Sequence, residues 1–305
     1  MNAMDALLES LQKSVVVSDG DLTLKDEARL KTRVDGLAFE SVFGDAETKA
    51  AARWLLWEIA QALGIRPASI HDLYLARGRG DVDRVFTVPA INLRMLTYES
   101  ARAVLRAARA LNAGAFIFEI ARSEIGYTDQ RPGEYAGCVL AAAIKEGHRG
   151  PVFIQGDHFQ INAKRYAENP DGEMKAVRDL TTEAVEAGFY NIDIDTSTLV
   201  DLSQPNTYEQ QRANFERCAD LTRAVRDLQP QGVTISVGGE IGEVGGKNSN
   251  EEELRAFMDG YHASLGGVTG ISKISIQTGR ETARDHGLTR ISFWFEVVRH
   301  YLYLL

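Results

Sequence analysis

Pro151-Val-Phe-Ile-Gln-Gly-Asp157-His158 sets the architecture of this chain. Its apolar, partly β-branched residues read as a short buried strand, and a carboxylate and an imidazole follow at the strand's end. Five other runs share this character: residues 85–92, 114–120, 190–195, 233–239 and 271–277. Each of the six is followed by a helical stretch. Successive starts lie roughly 30 to 40 residues apart, the length of a strand, a crossover helix and two loops. Among the helices, residues 98–111 are alanine-rich, residues 178–187 end at Gly188, and residues 208–228 are long and amphipathic. Repeated βα units predict a parallel sheet, and in such sheets chemistry gathers at the C-terminal ends of the strands.

Those ends are polar here: Asn92; Glu119; Gln155, Asp157 and His158; Asp193, Asp195, Thr196 and Ser197; Glu240 and Glu243; Gln277 and Thr278. A buried strand gains nothing from Asp or His, because desolvating such groups costs several kcal/mol unless they are paired. Either they form a structural network among themselves, or they hold a metal or move protons. His158 suits a divalent metal through its neutral imidazole, and Asp157 beside it suits general acid–base work.

Hydrophobic residues make up 44% and charged residues 25% of the 305-residue chain, which excludes wholesale disorder. The formal charge of −9 argues against a nucleic-acid partner, since phosphate affinity comes from Lys and Arg. No run approaches the ~20 apolar residues of a membrane span, and residues 1–17 lack the apolar core of a signal peptide. Two isolated cysteines, Cys138 and Cys218, offer no disulfide framework, so a reducing, cytoplasmic location is expected.

The first 84 residues read as a helical extension. Asp45 can cap a helix in which Ala50, Trp54, Leu55, Trp57, Ile59 and Leu63 follow helical spacing until Gly64 stops it. Trp54 and Trp57 read as packing residues.

A second constellation is Ser236-Val-Gly-Gly-Glu240-Ile-Gly-Glu243-Val-Gly-Gly-Lys247. A strand ends in a carboxylate and enters a glycine-rich loop. No GK[ST] follows, so a Walker phosphate site is rejected, as is a dinucleotide site, for want of GxGxxG. Glu240 fits a metal-facing or catalytic carboxylate. Ser249-x-x-Glu252 reads as a capping pair, which makes Glu251, Glu252 and Glu253 the start of a helix.

Taken in order and with their spacing, Val88-Pro-Ala-Ile-Asn92, Pro151…Asp157-His158, Ile192-Asp-Ile-Asp195-Thr-Ser197 and Glu240-Ile-Gly…Val244-Gly-Gly246 resemble the successive motifs of the class II, metal-dependent fructose-bisphosphate aldolases and their tagatose-bisphosphate relatives. The resemblance runs from about Val85 to Thr278. It implies a (β/α)8 TIM-type barrel with a divalent metal, usually Zn2+, at the C-terminal mouth. It implies Asp157 as the group that moves the proton of the aldehyde-side oxygen. His158 and Glu240 become metal-binding residues, and Asn92 and Asp195 residues that frame the site. The implied reaction is metal-assisted retro-aldol cleavage of a ketose bisphosphate in carbohydrate metabolism, with the C3–C4 bond breaking. The partners expected are a sugar phosphate and further copies of this chain, with neither nucleic acid nor membrane.

The chain departs from that pattern near its end. The family carries two more histidines, each in a His-Gly pair after the sixth and seventh strands. Here His286-Gly287 comes late and reads as a surface turn, and too few residues follow for two further βα units. Residues 271–277 read as the sixth strand, or as the eighth if an internal segment is missing. The expected architecture is therefore α/β, an incomplete (β/α)8 barrel with six readable units. It divides into a helical extension over 1–84, the aldolase-like part over 85–279 and an atypical tail over 280–305, altered or cut short after about Gly279. Within the tail, Ile291, Trp294, Phe295, Val298, Leu302 and Leu305 fall near helical spacing. With only two donors assigned, weak zinc binding is expected, with cleavage slow or absent, the alternative being a non-catalytic accessory subunit or an inactive remnant.

Overall fold

The computed structural model describes residues 2–83, 85–242 and 248–277. In chain order these residues form α1 (Ala3–Ser10), β1 (Val15–Ser18), β2 (Asp21–Leu24), α2 (Glu27–Phe43), α3 (Ala46–Ala62), β3 (Ile65–Ala68), α4 (His71–Arg79), β4 (Ala90–Asn92), α5 (Thr97–Ala110), β5 (Ile117–Ala121), α6 (Arg122–Thr128), α7 (Pro132–Glu146) and β6 (Gly150–Gln160). There follow α8 (Ala163–Glu168), α9 (Pro170–Glu186), β7 (Asn191–Asp195), α10 (Thr207–Leu228), β8 (Ser236–Glu240), α11 (Glu251–Leu265) and β9 (Lys273–Ser275). All six expected strands are present, as β4 to β9. The class is α/β with parallel pairing, an incomplete TIM-type pattern.

The chain divides into two compact units. The first comprises residues 1–68, 88–155 and 186–189, and the second residues 69–87, 156–185 and 190 onward. β4 and β5 are neighbours in the first unit, and β7, β8 and β9 follow in that order in the second.

In the first unit, α2, α3, α5 and α7 pack together. Asp45 caps α3 by accepting from the Thr48 N–H at 2.8 Å, and Gly64 follows at φ +73, as the sequence predicts. Leu55, Leu56 and Ile59 of α3 are fully buried, each worth about 1.5–3 kcal/mol of removed apolar surface. From Tyr135 to Ile144, α7 is buried on every side. That suits a helix enclosed by neighbours rather than one lying at a surface. Trp57 packs as expected: its ring and the Pro67 side chain fill the space where Gly188, at φ +93, would carry a Cβ.

Residues 1–84, read from sequence as helical, also contain strands. β1 and β2 form an antiparallel hairpin, and β3 pairs in parallel with the start of β6, Ile65 against Gly150. These strands have four residues each, too few for a period of two to stand out against helical spacing.

In the second unit, β7, β8 and β9 run parallel in a register that aligns Asp193, Gly238 and Lys273 in one cross-strand row. The chain entering α4 is tied beneath them. The Ile70 N–H donates to Asn191 Oδ1 at 2.9 Å, and the Ser236 N–H donates to Ser69 Oγ at 2.9 Å. Helices α10 and α11 pack against each other. Gly260 of α11 receives the buried ring of Phe215 from α10, leaving no space for a Cβ.

The cap of α11 differs from the sequence reading by one residue. Asn250 Oδ1 accepts from the Glu253 N–H at 3.0 Å, and Glu253 Oε2 accepts from the Asn250 N–H at 2.8 Å. Ser249 is engaged elsewhere: its N–H donates to the Gln277 carbonyl at 2.8 Å, and its Oγ accepts from the Gln277 N–H at 3.0 Å. The expectations for Glu243, Lys247, Thr278, His286-Gly287 and the tail over 280–305 lie outside the described residues. Among the described residues, no helix is long and apolar enough to cross a membrane.

The Gly260 contact makes a prediction. Gly260→Ala improves helix propensity, yet it should destabilise the protein by about 1–3 kcal/mol through overpacking against Phe215. Urea denaturation measures the change, and a neutral or stabilising result would show that the two helices separate freely.

Candidate functional site

The site grows from the end of β6. Within β6 the backbone leaves regular strand geometry at His158. The Phe159 ring is buried and folds back over Gly156, where a Cβ would collide with it. His158 takes φ +40, a left-handed conformation uncommon for a residue with a side chain. Strain of this kind persists only where the surroundings impose it. The imidazole bridges two carboxylates. Its Nδ1 lies 2.6 Å from Asp157 Oδ1, and its Nε2 lies 3.6 Å from Glu240 Oε2.

Asp195 ends β7 and is buried. Its Oδ1 accepts from the Ser197 N–H at 3.0 Å and the Ser197 hydroxyl at 2.6 Å, and its Oδ2 accepts from the Gln160 amide. Glu240 ends β8, also buried, and its Oε1 accepts from Gln277 Nε2 at 3.2 Å. The backbone beyond it is pinned from α10. Asn214 Nδ2 donates to the Glu240 carbonyl and Gln211 Nε2 to the Ile241 carbonyl, both at 2.9 Å. Rigid helix-to-strand hydrogen bonds thus fix where the carboxylate begins.

His158, Asp195 and Glu240 each offer a ligand atom, and these atoms lie within 4.8 Å of one another. An imidazole nitrogen with two carboxylate oxygens is a donor set that suits a divalent cation. The electrostatics point the same way. Burial pushes the Glu240 carboxyl up to about 7, and the Asp195 charge adds to the push. The hydrogen bond to Asp157 raises His158 to about 9, helped by the charges of Asp157, Glu240 and Asp195. The cluster is short of positive charge, and the residues present fit a bound cation.

The residues singled out from sequence fall in both units. Asp157, His158, Asp195 and Glu240 come together in the second unit, and Asp195, expected only to frame the site, offers a ligand atom beside those of His158 and Glu240. Asn92 lies in the first unit, where its amide donates to Glu124 Oε2 at 3.1 Å. Glu119 and Gln155 of that unit bond to each other through their side chains. Glu251 and Glu252 serve α11 and its neighbours, accepting from Arg255 at 2.8 Å and from the Thr207 hydroxyl at 2.5 Å. The sequence reading missed Gln160 and Lys273. Lys273 was visible as a lone cation inside an apolar parallel strand.

In cation-free protein the His158 ring should titrate well above 6.5, near pH 9, by NMR, and Asp157→Asn should return it toward 6.5. Because the folded-state value is raised, the stabilisation from this contact is fully present below pH 6.5 and is lost as pH climbs through 9. The melting-temperature advantage over Asp157→Asn should therefore shrink across that range. An unshifted imidazole would contradict the contact.

Comparison with known proteins bears on these residues. No curated protein matches the chain. A solved structure of a probable tagatose 6 phosphate kinase from Sinorhizobium meliloti 1021 is similar, with 17% identity and a TM-score of 0.49. The match covers 70% of this chain and 57% of that one, so this chain spans little more than half of its length. The model of the family Fructose-bisphosphate aldolase class-II matches residues 83–279, a span that contains Asp157, His158, Asp195 and Glu240. On that match, the chain belongs to the class II fructose-bisphosphate aldolase family.

Proposed function

We propose that this chain is a metal-assisted aldehyde lyase that cleaves a ketose bisphosphate, of the fructose or tagatose type, by a retro-aldol reaction. The observation that carries the reading is the meeting of His158, Asp195 and Glu240 at strand ends, with Asp157 bonded to the imidazole. These three residues would hold the cation, zinc by family habit, whose contribution is to polarise the substrate carbonyl.

The chain's own residues do the rest. Asp157 accepts the Nδ1–H of His158, which fixes the ring tautomer and turns Nε2 toward Glu240. Asp157 also takes the proton of the hydroxyl on the aldehyde side. As that proton leaves, its oxygen becomes the aldehyde carbonyl and the electron pair of the C3–C4 bond passes to the ketose half. Returning a proton to that half completes the cleavage. Ser197 and Gln160 hold Asp195, and Gln277 holds Glu240, so neither carboxylate has to reorganise during the reaction. Two cysteines, Cys138 and Cys218, are buried and free, their thiols pushed up to about 12 by burial, so neither is primed as a nucleophile; a reducing cytoplasmic setting is part of the same proposal. Assembly as a homo-oligomer belongs to the same proposal.

The test is ketose-bisphosphate cleavage by the full chain, coupled to triose-phosphate detection. Turnover should be abolished by EDTA and restored by zinc or cobalt. Asp157→Asn should cut turnover by about 10²–10⁴-fold even at saturating zinc, beyond the loss of cation affinity that follows from releasing His158. Glu240→Gln should weaken cation binding about 10-fold or more. Turnover that survives complete metal removal, or an active Asp157→Asn variant, would refute the assignment.

A further inference from the structure

We infer that Lys273 is a positioning residue of the cation site: by engaging Asp193 across Gly238, it withholds a fourth ligand, a third carboxylate, from the ligand set. The inference rests on the metal reading above and adds the means by which the site stays open.

The argument begins with register. Asp193 of β7, Gly238 of β8 and Lys273 of β9 are cross-strand partners. Residues two apart on a strand share a face, so Asp193 shares a face with Asp195, and Gly238 with Glu240. Asp193 therefore lies one step, roughly 6.6 Å along the strand, from a proposed ligand. It is close enough that its charge and that of Glu240 repel. It also feels the charges of Asp157 and His158. Chemically it is as good a donor as either carboxylate in the set.

What occupies it is Lys273, whose Nζ lies 2.6 Å from Asp193 Oδ1. Both side chains are largely buried, 22% and 28% exposed, so screening by water is limited. The ammonium also lies 5.9 Å from the centre of the Tyr74 ring, a second hold on its position. The pair closes over β8 only because residue 238 is glycine. A Cβ there would fall on the Asp193 carboxylate and within 3.0 Å of Lys273 Cε. On the other face, a Cβ at Gly239 would press on Ile271 and Phe257 at 3.3 Å. The Gly-Gly of this strand thus makes room on one face for the ion pair and on the other for the helices.

The consequence for the site is one of coordination number. A catalytic divalent cation keeps an open position for substrate beside three protein ligands. Asp193 freed from Lys273 could join His158, Asp195 and Glu240, tightening the cation and closing that position. Lys273 spends its charge on Asp193, and the pair as a whole is neutral beneath the cluster.

The experiment titrates the metal-stripped full chain with Co2+, read by calorimetry and by visible absorption, for the wild type, Lys273→Met, Asp193→Asn, the double variant and Lys273→Arg. Lys273→Met should bind cobalt roughly 10- to 100-fold more tightly, with a changed visible band, the range that groups around metal ligands command. Asp193→Asn should bind more weakly, because an unpaired ammonium is left beside the cation. The double variant leaves neither charge unpaired and should return to within about twofold of the wild type, with its band restored. Lys273→Arg should behave as the wild type. A merely structural role would shift both single variants the same way. That result, or an unchanged band in Lys273→Met, overturns the inference while the metal reading stands. If Lys273→Met fails to fold, Asp193→Asn and the double variant still decide the sign. A wild-type chain that binds no cobalt removes the metal reading and this inference together.

Discussion

Carboxylates on neighbouring parallel strands repel one another, and in this protein three of them share one face: Asp193 and Asp195 on β7 and Glu240 on β8. Each is met by a specific answer. Asp193 has the ammonium of Lys273, Asp195 has Ser197 and Gln160, and Glu240 has Gln277 and the imidazole of His158. The answers are unequal. Asp193 receives a full positive charge, whereas Asp195 and Glu240 receive mainly neutral donors. Burial first, and the Asp195 charge second, raise the Glu240 carboxyl, while the hydrogen bond to Asp157, helped by the surrounding charges, raises His158. The negative charge left over is what a divalent cation would neutralise, so the same constraint that strains the fold specifies the ligand.

The scaffold around the cluster fixes backbone first and side chains second. Asn214 and Gln211 of α10 reach the carbonyls of Glu240 and Ile241. Thr196 in turn donates to Asn214 Oδ1 at 2.6 Å, linking the end of β7 to the same helix. Buried amides of this kind are costly if left unmet and rigid when met. Here they are met by carbonyls that a regular strand would leave at its end. The left-handed turn at His158 is the counterpart on β6, a local cost accepted where an imidazole has to lie between two carboxylates.

Legibility in the sequence followed local pattern and contact range. The six strands β4 to β9 and the helices α3, α5, α9 and α10 were readable because each has a strong local pattern and punctuation by Gly or Asp. The four-residue strands β1 to β3 were not, because they are defined by pairing, as in Ile65 against Gly150. The cap of α11 was misplaced by one residue for a similar reason. Ser249 and Asn250 are both competent caps by type, and only the backbone exchange between Ser249 and Gln277 removes Ser249 from the choice.

For the site, the order of motifs was enough to place Asp157, His158, Asp195 and Glu240 at strand ends and to point to class II aldolase chemistry, because strand polarity and period two are properties of local sequence. Sequence alone could not say that Asp195 stands with His158 and Glu240 while Asn92 bonds within another unit, or that Lys273 belongs to Asp193. Those assignments depend on which residue lies opposite which across separate strands. Register is set by the packing of both faces, and two glycines on β8, each crowded from a different side, are where that packing becomes decisive.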